Sequence, residues 1–206
     1  SESAKKDIVD HLKVPKEKIK IIYPGIDFEK YSREIEKNKL RKIRKKYKLP
    51  KKYILYLGTI EPRKNIVRII NSFLEYRNLT KSDIKLVIAG GKGWKYEKIM
   101  KLVEQNKENI VLTGYIEEED KISLYKMAEI FVFPSLYEGF GMPVLEAMAC
   151  GVPVITSNVS SLPEVAGKAA ILVNPLKVEE MTDAYSKILS NEEFREKMIE
   201  EGIEQS

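Results

Sequence analysis

The chain has 206 residues, 43% hydrophobic and 33% charged, enough to bury one full core without disulfides or metals. A single cysteine, Cys150, excludes an intrachain disulfide and fits a reducing compartment. No apolar run approaches the ~20 residues that cross a bilayer, and the polar, charged opening is no secretory signal. The net charge of +5 suits an anionic ligand or surface.

Ser3 to Leu12 has helical spacing, and Ile19 to Ile22 reads as a strand leading into Tyr23-Pro24-Gly25. Ten basic residues lie between Lys37 and Lys52, interrupted by Leu40, Ile43, Tyr47 and Leu49. That pattern predicts a basic amphipathic helix ending before Pro50. A solvated helix face is the simpler reading of such a run; a patch for anionic lipid or phosphate is the functional one. No nucleic-acid-binding motif or interleaved aromatic platform accompanies it, so nucleic acid is not an expected partner.

From Tyr53 onward one theme repeats: a short apolar run, a loop, an amphipathic helix. Tyr53 to Leu57, Lys85 to Ala89, Ile110 to Leu112, Ile130 to Phe133, Val152 to Thr156 and Ala169 to Val173 are the expected strands. Ile66 to Tyr76, Tyr96 to Val103, Glu118 to Met127 and Pro143 to Ala149 are the expected helices, followed by two more from about Val178. Runs that are apolar on both faces, alternating with helices, predict a doubly wound, mostly parallel α/β sheet with helices on both faces. Such sheets bind ligands at the carboxyl ends of their strands. The loops that matter are therefore 58–64, 90–94, 113–116 and 134–142.

The segment Ser135 to Glu146 carries the strongest chemical signal. Glu138 lies in the loop after a strand, and Glu146 about one turn into the next helix. Gly139 and Gly141 let the backbone approach a ligand, and the helix start is a natural phosphate site. The two carboxylates are separated by on the order of 10 Å. One could accept from sugar hydroxyls and the other from ribose hydroxyls.

Glu138-Gly-Phe-Gly-Met-Pro-Val-Leu-Glu146, followed by Ala-Met-Ala-Cys-Gly-Val-Pro-Val-Ile, resembles the E-x7-E motif of retaining glycosyltransferases of the family-4 type with the GT-B fold. The chain is most similar to mannosyltransferase-like members. The resemblance implies that Glu138 meets the donor sugar as the catalytic carboxylate and Glu146 meets the donor ribose. Gly139, Phe140, Gly141 and Met142 would bring backbone to the sugar and diphosphate. Leu57 to Asn65 resembles the family's G-x-x-x-P-x-K-[GN] loop, with Gly58 at its start. It assigns Lys64, with Arg63, to the donor phosphates. Thr59 stands where many members carry Arg. Gly90 and Tyr115 lie in segments that match the later strand ends, where the base is held. Tyr23 to Asp27 resembles the turn opening the family's C-terminal domain without its usual Asn, and Ser157 to Val165 matches a further segment.

The resemblance further implies that residues 1–206 are a donor-binding domain and that 1–22 include the interdomain segment. The N-terminal acceptor domain and the family's final helix would then lie outside the chain, and the isolated domain is expected to bind weakly and transfer little. The expected partners are a nucleoside diphosphate sugar and, through the other domain, a glycan or lipid-linked acceptor. The basic helix is a candidate for peripheral contact at the inner face of the cell membrane of a cytoplasmic protein. No Asp-x-Asp occurs, and one His and one Cys cannot build a zinc cluster. A metal-independent enzyme without cofactor is the expectation. His11 reads as a surface residue and Cys150 as core. The rival readings are a non-catalytic nucleotide- or lipid-binding module, and another GT-B enzyme such as a sugar-nucleotide epimerase. An NAD-binding domain is disfavoured by the lack of G-x-G-x-x-G after the first strand.

Overall fold

The structure, a computed structural model, describes all residues from Ser1 to Ser206. The N-terminal segment holds three helices: α1 (Glu2–Leu12), α2 (Phe28–Ser32) and α3 (Lys37–Lys46). α1 starts cleanly because Ser1 Oγ accepts from Ala4 N–H (3.1 Å) and the Glu164 carboxylate accepts from Glu2 N–H (2.9 Å). The strand expected at Ile19 to Ile22 does not form. That stretch is extended but has no ladder partner: Ile22 is 83% exposed, and the Ile19 carbonyl accepts instead from Lys5 Nζ (2.7 Å). A β-prone run becomes a strand only beside an open sheet edge, and none reaches it.

α3 behaves as its pattern predicts, with one consequence for its basic face. Ile43, Tyr47 and Leu49 are buried in the core. Lys46 Nζ (2.6 Å) and Tyr47 OH (2.8 Å) both donate to the buried Asp120 carboxylate. Lys37, Arg41, Lys42 and Lys45 stay exposed. The apolar side of α3 is thus spent inside the domain, and no apolar stripe is left to enter a bilayer. The helix stops where Lys48 turns left-handed (φ 53°) ahead of Pro50.

The strands β1 (Tyr53–Leu57), β2 (Lys85–Ala89), β3 (Ile110–Gly114), β4 (Ile130–Phe133), β5 (Val154–Ser157) and β6 (Ala170–Val173) form one parallel sheet. Their order is β3-β2-β1-β4-β5-β6. β1 and β4 lie at the centre and are buried throughout, which is why YILYL and IFVF show no polar alternation. The edge strand β6 is only partly covered. Helices α4 (Ile66–Thr80), α5 (Glu97–Gln105) and α9 (Val178–Ser190) pack together on one face. α6 (Glu118–Lys126), α7 (Met142–Ala149) and α8 (Leu162–Ala166) cover the other, as right-handed crossovers require. α10 (Glu192–Gln205) lies back across α7, where a Cβ on Gly202 would touch Met148 at 3.4 Å. The five-residue helices α2 and α8 were not anticipated, since one turn shows no periodicity. No helix is long and apolar enough to cross a membrane.

Two glycines meet at the carboxyl ends of β1 and β2. Gly58 N–H donates to Ala89 O (2.9 Å) and Gly90 N–H to Gly114 O (2.8 Å). A Cβ on Gly90 would lie 2.0 Å from Gly58 O, and Gly90 has φ +140°. Only glycine fits there.

Candidate functional site

β1 and β4 are neighbours in the sheet, yet the chain leaves them in opposite directions. This is the switch point at which a doubly wound sheet opens a crevice. The loop after β1 makes a tight 3-10 turn over Pro62–Lys64 and ends at Asn65, in the left-handed region at φ 62°. Asn tolerates that conformation. Its buried amide donates to Pro134 O (3.1 Å) and Pro175 O (2.6 Å), tying the β1 loop to the ends of β4 and β6. Leu136 N–H donates to Arg63 O (2.9 Å) across the same crevice.

Three of the expected residues meet here. Lys64 Nζ pairs with Glu138 Oε1 at 2.6 Å, and Arg63 Nη1 with Glu138 Oε2 at 3.0 Å. Arg63 also donates to Tyr137 O (2.7 Å) and pairs with Glu61 (2.7 Å). Lys64 Nζ lies 4.7 Å from the centre of the Phe133 ring, a cation–π contact that holds it at the sheet. Without a ligand, then, Lys64 is occupied by Glu138 rather than standing open.

The loop carrying Glu138 is clamped from β5 and α8. Ser160 Oγ donates to Glu138 O (2.6 Å), and the single Ser161 hydroxyl proton is shared between Phe140 O (2.5 Å) and Glu138 O (2.9 Å). Glu138 N–H donates back to Ser160 Oγ (3.0 Å). Gly139 is exposed, and its carbonyl accepts from Ser1 Oγ (2.8 Å). The Phe140 ring turns toward Tyr23, 6.0 Å between centres. Gly141 (φ +126°) starts α7, with Met142 as its first residue, and no side chain caps that end. Pro143 brings no N–H, so fewer free donors stand at this helix start than its sequence position suggested.

Glu146 sits in a different setting. Its Oε1 accepts from Tyr31 OH (3.0 Å) and lies 3.4 Å from Lys121 Nζ, and its Oε2 accepts from Tyr125 OH (3.0 Å). Burial and the Glu146 charge push both phenols well above their ordinary range, so they stay protonated and donate. Burial works against the Lys121 charge, but Glu146 and Glu118 outweigh it and raise its pKa.

The remaining expected residues line one cleft of about 360 Å³ at the ends of β1, β2 and β3. Gly58, Thr59, Gly90 and Tyr115 form its walls, with Glu118 and Lys121 on the α6 side. Tyr115 is 71% exposed, an open aromatic face at the rim. Lys121 joins the two parts of the site, because it lines this cleft and also reaches Glu146. Sequence reasoning missed Glu61, Lys121, Glu118 and Tyr31. Glu61 lies inside the Leu57 to Asn65 motif and could have been flagged as a charge after a strand end, whereas Lys121 sits on the first turn of α6. Tyr31 gave no signal, being 115 residues from Glu146.

The family described as Glycosyl transferases group 1 matches residues 37–205. An O-antigen chain mannosyltransferase B from Escherichia coli is 40% identical over 156 residues, covering 75% of this chain and 41% of that relative. The solved C-terminal domain of the Francisella tularensis group 1 protein LpcC superposes with a TM-score of 0.75 at 25% identity, over 88% of this chain and 96% of that one. The Anabaena protein Alr3699/HepE, solved with UDP and glucose, superposes with a TM-score of 0.86 at 16% identity, over 99% of this chain and 56% of that one. The chain thus spans about two-fifths of that curated relative and 56% of the HepE chain. With the parallel sheet, the switch-point crevice and the spaced carboxylates already in place, the match across residues 37–205 makes this chain a member of the group 1 glycosyl transferases, with the Rossmann-like half of a GT-B fold.

Proposed function

We propose that this chain binds a nucleoside diphosphate sugar and is the donor half of a retaining hexosyltransferase that works on a glycan or a lipid-linked sugar. The observation that carries the reading is the buried Lys64–Glu138 pair with the half-buried Arg63 at the switch point, beside the cleft lined by Gly58, Gly90 and Tyr115. A diphosphate needs fixed positive charge, a hexose and a ribose need hydroxyl acceptors, and a base needs a walled cleft. All three lie side by side at the strand ends. The E. coli relative's name supports a mannosyl group, and the HepE complex supports a nucleotide-linked donor.

In this reading the base enters the cleft under Tyr115, and Glu146 accepts from the ribose hydroxyls with Lys121 beside it. Lys64, with the α7 N-terminus, takes the diphosphate. As the hexosyl group leaves the phosphate oxygen for the acceptor hydroxyl, that hydroxyl gives up its proton to the departing diphosphate, on which negative charge grows. Side-chain cations then stabilise it in a partly water-excluded setting. They supply the counter-charge a divalent metal gives elsewhere, so the proposed reaction is metal-independent. Glu138 faces the sugar and keeps the anomeric carbon positioned.

Calorimetric titration with GDP, UDP and ADP and their sugars tests the reading. One nucleotide should bind saturably, and more weakly in Glu146→Ala. Absence of binding at millimolar ligand, in this chain and in a full-length protein, would sink it. The second reading, a lipid-surface module, is narrowed by the burial of the apolar side of α3. Membrane contact through α3 in this proposed cytoplasmic protein is electrostatic, and salt at about 0.5 M should weaken sedimentation with anionic vesicles.

A further inference from the structure

Four charged groups share the phosphate side of the site: Glu61, Arg63, Lys64 and Glu138. Two are positive and two negative, so the set is neutral rather than cationic. Three of them are buried, Glu61 at 8% exposure and Lys64 and Glu138 at 9% each. Their links are unequal. Lys64 has one carboxylate partner, Glu138 at 2.6 Å. Arg63 has three acceptors: Glu61 at 2.7 Å, Tyr137 O at 2.7 Å and Glu138 at 3.0 Å. Removing Glu138 from the set leaves Arg63 held and Lys64 bare.

We propose that Glu138 is a built-in stand-in for the donor phosphate, and that Glu61 is the positioning residue that keeps Arg63 fixed when Glu138 lets go. The inference rests on the donor-binding reading above and adds how the site tells donor from product. A buried carboxylate and a buried ammonium do not part unless each gains a new partner. A nucleoside diphosphate sugar supplies both, phosphate oxygens for Lys64 and sugar hydroxyls for Glu138. A bare nucleoside diphosphate supplies only the first. It must compete with Glu138 for Lys64, and success strips Glu138 of its shortest contact. The device favours intact donor over spent nucleotide and so promotes product release.

The test compares this chain with its Glu138→Gln and Glu61→Gln variants by calorimetry. Ligands are GDP, UDP and ADP and the matching nucleotide-sugars, with folding checked by circular dichroism on the same samples. Glu138→Gln removes the anionic competitor, so the bare nucleotide should bind about tenfold tighter. The preference for nucleotide-sugar over bare nucleotide should shrink with it. Glu61→Gln removes an equal charge from the same neighbourhood but not the competitor. It should bind bare nucleotide no tighter than the unmodified chain, and nucleotide-sugar more weakly because Arg63 is loosened. Glu138→Asp keeps the charge but withdraws it from Lys64, and should fall between the parent and Glu138→Gln. Equal tightening in Glu61→Gln and Glu138→Gln would mean a general charge effect and overturn the stand-in. Unchanged or weaker bare-nucleotide binding in Glu138→Gln would overturn it too, leaving the donor reading intact. No nucleotide binding by any form, either in this chain or in a full-length protein, would overturn both.

Discussion

The two carboxylates of the site stand eight residues apart in sequence and in opposite chemical settings. Glu138, on a loop, is held by a lysine and an arginine. Glu146, on the second turn of α7, is held by two tyrosine hydroxyls with a lysine at 3.4 Å. An ion pair can be exchanged for another ion pair when a charged ligand arrives. The two buried phenols instead hold one carboxylate from both of its oxygens, and a ribose hydroxyl can join that carboxylate without displacing either. The difference assigns movement to Glu138 and fixity to Glu146, and it also says which of the two the fold depends on.

The sharpest way to break that contrast is to remove each anchor in turn. Glu146→Ala leaves Tyr31 and Tyr125 unpaired in the interior, and should cost about 2–4 kcal/mol of stability in urea denaturation. Glu138→Gln should cost less, because the amide oxygen still accepts from Lys64 while Arg63 keeps Glu61 and the Tyr137 carbonyl. Equal losses would erase the distinction between fixed and mobile carboxylates. Lys64→Met acts on the mobile side: nucleotide-sugar affinity in calorimetry should fall about 10- to 100-fold, one charge-assisted contact with a diphosphate being worth roughly 1.5–3 kcal/mol. Undiminished affinity would move the phosphate elsewhere.

Smaller effects sharpen the picture on the fixed side. Tyr31→Phe removes one hydrogen bond and should lower stability by about 1 kcal/mol, with little change in nucleotide affinity. A large affinity loss would make Tyr31 a ligand contact instead of a brace. Cys150 serves as a silent reporter of the same region, since its thiol donates to Tyr31 O at 3.5 Å. Burial, with some help from Glu146, pushes its pKa up to about 12. The folded thiol is therefore neutral at pH 8 and should resist thiol reagents until the chain unfolds. Because the folded value is raised, its contribution to stability is whole below the usual thiol range and is lost as pH climbs toward 12. Rapid labelling of the native protein would show that the Glu146 pocket opens.

Much of this was legible in the chain, for reasons that can be named. The central strands β1 and β4 are covered on both faces, so five and four consecutive buried residues announce them. Lys64 and Glu138 were both marked from their loops, because strand ends in a wound sheet are where ligands sit. Their pairing was not, since 74 residues separate them and no local pattern encodes it. The run at Ile19 to Ile22 had the composition of a strand and lacked a neighbour, which composition cannot report. The basic helix was read correctly as a helix, but its apolar side proved to be internal rather than free.

The abutting glycines at the ends of β1 and β2 bear on how this pocket could be re-tailored. A Cβ at Gly90 would overlap the Gly58 carbonyl, so position 90 can be neither thickened nor decorated by any ordinary substitution. A library aimed at a different base would waste every member that varies Gly90. The adjustable surface is the opposite lip, where Thr59, Lys92 and Tyr115 border the cleft with side chains that can be exchanged. The rigid floor of the pocket and its tunable rim are therefore different residues, and on the donor reading proposed above a change of nucleotide preference has to run through the rim.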